Sequence, residues 1–189
     1  SFLKSAIATK VQPYASMAQL VVVERVFESK NLPEAFKEAS TLVSMGKEAD
    51  THARAKARFI QARILEEEFR KQSVKSQLDR VSMVLALKTE KLEKAQQAFQ
   101  AVTRYGDAEL AVEALRRLAG CYKHYAEALK TMPVPDGLEA QDAQVFRQEL
   151  DRLTFPMEDK SVETLAEALE QAKSLKLYTG QAQQIQAEI

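Results

Sequence analysis

The chain has 189 residues, 46% apolar and 29% charged, which is enough to bury a sizeable core and argues against disorder. Glycine and proline number only five each, too few turn residues for a sandwich, a barrel or a doubly wound sheet, so the expected fold class is all-α. Lys plus Arg (27) balance Asp plus Glu (27), removing the global cationic field that non-specific nucleic-acid binding relies on. Cys121 is the only cysteine and His52 and His124 are the only histidines, so an intrachain disulfide is excluded and a structural zinc site lacks ligands. The longest strongly apolar run, 18–23, stops at Glu24 and Arg25, far short of the roughly 20 residues a membrane span needs. A start at Ser1 reads as a processed or cut chain, which leaves a removed leader open.

Tyr14, Met17, Leu20, Val21 and Phe27 predict a helix that begins just after Pro13. The run Asn31-Leu32-Pro33-Glu34 predicts the start of the next, with Asn31 as cap, Pro33 in the first turn and Glu34 closing a capping box. Ala35, Phe36, Ala39, Leu42 and Val43 carry that helix to about residue 45, where Gly46 offers a left-handed stop. Residues 1–46 are therefore expected to form an N-terminal helical hairpin. From Lys47 to Tyr105 there is neither glycine nor proline, and Asp50-Thr51 supplies a cap.

Positions 74, 78, 81, 85, 88, 92, 95, 99 and 102 follow steps of three and four, and Lys88 is their only polar member. Extended backwards, the seam meets Lys71 and Glu67 before returning to Ile64, Ile60, Ala57 and Ala53. This break predicts a hairpin turn near 70–76 that divides 47–106 into two helices, with one unbroken helix as the alternative. Tyr105-Gly106-Asp107 ends the second helix and caps another, which runs to about Lys130. After the linker 132–137, Ala143, Phe146, Leu150 and Leu153 predict a separate helix at 138–153, stopped by Thr154-Phe155-Pro156. Val162, Leu165, Leu169 and Ala172 mark a further helix, completing a unit at 107–180. Residues 181–189 open one more amphipathic pattern, as expected of a longer array.

Ala95-x3-Phe99-x2-Val102 and Leu165-x3-Leu169-x2-Ala172 share the spacing of the second helix of a tetratricopeptide repeat. Leu115-x2-Leu118-Ala119-x2-Tyr122 resembles its first-helix signature, with Leu115 at the usual tryptophan site and Ala119 at the usual glycine site. More broadly, 53–177 resembles a group of bacterial cell-envelope tetratricopeptide proteins that includes those of adventurous gliding motility. The likeness lies in 59–66, in 87–92, in Pro133-Val134-Pro135 and in Pro156-x2-Asp159-Lys160. It implies an α-solenoid of antiparallel, degenerate repeat pairs with 138–153 as an inserted helix. It also implies a periplasm-facing envelope scaffold, a cytoplasmic location remaining open.

No catalytic constellation stands out. Cys121 and His124 lie three apart on one predicted helix, but without a glycine-rich turn or acidic orienter they read as a buried thiol and a partly exposed ring. Glu66-Glu67-Glu68 fan out around a helix and read as a solvated face. Scattered glycines form no phosphate-cradling loop. The expectation is a non-enzymatic protein with no cofactor and no metal. Its sharper form draws on the repeat resemblance, which puts Arg116, Lys123 and His124 on a groove, joined by Arg58, to bind an acidic segment of a partner protein. The competing expectation is a self-associating bundle in which the 74–102 seam zips two chains together.

Overall fold

Seven α-helices, and no strand, make up the regular structure of the computed structural model, which describes residues 2–8, 11, 13–174 and 185–188. They are α1 (Phe2–Ala8), α2 (Tyr14–Glu28), α3 (Leu32–Ser44), α4 (Thr51–Lys71), α5 (Val81–Thr103), α6 (Ala108–Lys130) and α7 (Ala140–Ser174). Residues 185–188 form a helical turn, and the rest of the helix expected over 181–189 lies outside the described residues. The seam break is a true hairpin: the chain leaves the helix over 72–77, with Gln72 and Gln77 extended, Leu78–Arg80 form a 3-10 turn, and α4 and α5 pack side by side.

The caps explain most of these boundaries. Asp50 accepts from Ala53 N at 2.8 Å and Asp107 from Leu110 N at 3.0 Å, so both aspartates satisfy amides of a first turn. Gly106, at φ +74°, takes the left-handed position after α5 that a side chain would strain. Asn31 occupies the cap position of α3, but its side chain makes no cap hydrogen bond, so the expected capping box does not form. In addition α1 precedes the anticipated pair and packs on α2.

One expectation is overturned. The separate inserted helix 138–153 does not exist, because α7 runs unbroken from 140 to 174 with Pro156 inside it. A single buried face explains the continuation: Leu150 enters the core shared by α4, α5 and α6, while Leu165, Ala168 and Ala172 pack farther along α6. Pro156 itself is exposed, so water can satisfy the carbonyl that loses its helical partner. Thr154 Oγ1, one residue before the exposed Phe155, turns back to Leu150 O at 2.8 Å.

Three cores lie in series. The first joins Val23, Ala35, Ala39 and Leu42 to Ala53, Ala57, Ile60 and Ile64. The central one gathers Phe59, Phe69, Leu92, Phe99, Leu118, Tyr122, Tyr125 and Leu129. A third is built from Val112, Leu115, Ala119, Leu165, Ala168, Ala172 and Ile185. Helix α4 is common to the first and second and α6 to the second and third, and α2 touches α4 as α4 touches α6. Alanines at 53, 55, 57 and 62, all buried, let α4 sit close to neighbours on both sides.

Candidate functional site

The four cations singled out from the sequence do not meet at one point. Arg116 Nε and Nη2 bind Glu113 at 2.8 and 2.9 Å, and its Nη1 reaches Glu188 at 2.9 Å, which raises its pKa further above the guanidinium range. Lys123 is exposed and shares a cleft of about 340 Å3 with Glu158, Val162 and Glu188, so it and Arg116 both face the 185–188 turn. Arg58 binds Gln61 Oε1 at 2.9 Å, and Gln61 in turn donates to Ser40 Oγ of α3 at 2.8 Å. His124 lies on another side of α6, against Lys88.

Arg116 is the end of a ladder that links α4, α6 and the 185–188 turn. Arg70 Nε binds Glu66 Oε1 at 2.9 Å, Arg117 Nη1 takes Glu66 Oε2 at 3.1 Å, and Arg117 Nε takes Glu113 at 2.8 Å. Glu66 is 6% exposed, so the triple-glutamate run contains one buried member and is not a solvated face throughout. Burial alone would raise the Glu113 carboxyl, but Arg116 and Arg117 outweigh it and hold the group below the carboxylate range. Gly120 makes room for the ladder, since a Cβ there would stand 3.3 Å from Arg70 Nη2.

Lys88, the polar member of the seam, is 1% exposed. Its Nζ donates to Phe69 O and Gln72 O, both at 2.8 Å, stands 3.3 Å from His124 Nε2 and lies 4.2 Å from the Phe69 ring centre. Those carbonyls belong to the last turn of α4 and the residue after it, so a side chain of α5 closes the C-terminal end of α4. His124 also meets Phe69 edge-on, with ring centres 5.4 Å apart. Burial, and then Arg70, push Lys88 down to about 8; burial, Lys88 and Arg70 lower His124. Their cleft, about 480 Å3, also includes Arg70, Lys75 and Glu127.

Chemistry is sparse elsewhere. Cys121 is fully buried and burial pushes its thiol up to about 12, which leaves it a packing group rather than a nucleophile at neutral pH. His52 Nδ1 lies 2.6 Å from Asp107 Oδ2, bridging the starts of α4 and α6. No group of three or more His, Cys, Asp or Glu suited to a metal ion occurs among the described residues, and no described helix is long and apolar enough to cross a membrane.

Sequence reading missed Arg63, Lys88 and the Glu66–Arg117 bridge. Lys88 carried a signal, as the one charged residue in an apolar seam; the bridge spans distant positions and carried none. The class these features define is an all-helical protein with serial cores and a charged face across alternate helices. Comparison with known proteins adds no family: no family model, curated protein or solved structure matches the chain.

Proposed function

We propose that the chain is a non-enzymatic scaffold or adaptor in a bacterial envelope assembly, built as a solenoid of degenerate tetratricopeptide-like helix pairs. The observation that carries this reading is the sharing of α4 and α6 between successive cores, together with the contacts α2–α4 and α4–α6. Serial cores of this kind expose long faces of alternate helices, and a long face suits an extended partner segment better than an enclosed reaction. Support for the envelope setting, and for its periplasmic side, is the sequence resemblance. The partner class is a protein segment bearing carboxylates.

The test is capture of partners from envelope extracts on the immobilised chain, followed by titration of a purified partner against wild type and Lys123→Glu. Weakened, salt-sensitive binding in the folded variant supports the groove beside α6, whereas turnover of any substrate, or no partner above control, overturns the reading. The competing bundle reading uses a seam whose members Val74, Val81, Leu92, Ala95, Phe99 and Val102 are buried within this chain. Light scattering over a concentration series separates the two. A monomer throughout fits the scaffold, and a dimer fits self-association.

A further inference from the structure

Charges along the face of α2, α4 and α6 divide into two sets. Arg70, Arg116 and Arg117 are matched by Glu66, Glu113 and Glu188, and Lys71 takes Glu67 at 2.8 Å. Arg63, Lys56 and Lys30 stand outside this pairing: among the described residues none has a carboxylate within 4.0 Å, and the Arg63 guanidinium makes no hydrogen bond. Arg63 is nevertheless half-buried, and its pKa is lowered first by that burial and then by Arg117. Its stem is what is buried: none of its guanidinium nitrogens is a buried, unpartnered donor, so the fork stays open to water and to a ligand.

The three surplus cations line one cleft of about 390 Å3 between α2 and α4. Arg63 lies 4.8 Å and Lys30 5.9 Å from the centre of the same ring, Phe27, while Phe59 and Ile60 contribute apolar surface. Lys30 adds an independent oddity. Its φ is +63°, in the left-handed region where a glycine would relieve the backbone, yet the position carries a long cationic side chain directed over Phe27.

We infer that the α2–α4 cleft docks one carboxylate of an extended partner segment, gripped by Arg63 with Lys56 and Lys30 beside it. The inference rests on the scaffold reading and locates its contact away from Arg116 and Lys123. Charge favours an anion: Arg63, Lys56 and Lys30 line the cleft with two carboxylates, Glu24 and Glu28, while Glu67, which also faces Arg63 and Lys30, is taken up by Lys71. The planar guanidinium offers a bidentate fork to a carboxylate, and stacking on Phe27 holds that fork in place. The apolar surface beside it suits an aliphatic side chain next to the acidic one.

The test is nuclear magnetic resonance of the whole chain, following the Arg63 Nε–H and the Phe27 ring during titration with the peptide acetyl-Ala-Glu-Leu-Ala-amide. Its Gln counterpart and inorganic phosphate are the control probes. Saturable shifts with the Glu peptide, at least tenfold weaker with the Gln peptide and in Arg63→Gln, are expected. Arg63→Lys, which keeps the charge without the fork, should recover only part of the affinity. Equal response to phosphate or to the Gln peptide overturns the inference. Shifts confined to Arg116 and Lys123, or no shift at Arg63 and Phe27, overturn it too while leaving the scaffold reading to the partner capture that tests it.

Discussion

Lys88 commits an ammonium to a helix end, and its neighbours determine the effect of changing it. Lys88→Met keeps the stem but strips donors from Phe69 O and Gln72 O, so a loss of about 1–3 kcal/mol is expected from urea unfolding. The same cluster sets two pH windows. Folded His124 titrates below its ordinary 6.5, so the unfolded chain binds more protons as pH falls past 6.5, and stability present above that value drops toward the folded pKa. Folded Lys88 titrates near 8 against an ordinary 10.5, so stability rises as pH climbs between those values. Unfolding midpoints across pH should show both slopes, with the lower one flattened in His124→Asn and the upper in Lys88→Met. Lys30 offers the opposite sign: Lys30→Gly relieves a left-handed residue and should gain about 1 kcal/mol, whereas Lys30→Ala should not.

At the scale of elements, α7 shows where local rules lose to packing. Pro156 and the preceding Phe155 read as a stop, yet a helix that continues past them buries Leu150 and Leu165 in two different cores. Pro156→Ala restores an amide donor on the exposed side and should raise stability by up to about 3 kcal/mol, with slower hydrogen exchange at 154–160. Other boundaries were legible because their chemistry is local: Asp50 and Asp107 cap, Gly106 stops α5, and two charged residues broke the seam at the α4–α5 turn. Asp107→Ala should cost about 0.5–2 kcal/mol by denaturant titration, mostly as a lost cap. A double-mutant cycle with the exposed His52 should find a coupling below about 1 kcal/mol.

Serial cores shape the behaviour of the whole molecule. Leu42 is fully buried in the first core alone, so Leu42→Ala should cost about 2–5 kcal/mol and accelerate hydrogen exchange in α2 and α3 more than in α6 and α7. Uniform acceleration would show instead that the cores unfold as one. Periodicity revealed which faces are apolar, as at Ala53, Ala57, Ile60 and Ile64, because burial repeats with the helical turn. It left open which charges find partners: Arg116, expected on a groove or else paired with a neighbour such as Glu113, binds Glu113 and Glu188, whereas Arg63 went unnoticed and has no such partner. Pairing across helices depends on tertiary distance, which spacing along the chain does not encode. The closure of α4 by Lys88 and His124 carries one more consequence, for synthesis on the ribosome. When Lys71 emerges, the groups that finish its helix lie 17 and 53 residues downstream, so the end of α4 stays frayed until α5, and then α6, have been translated.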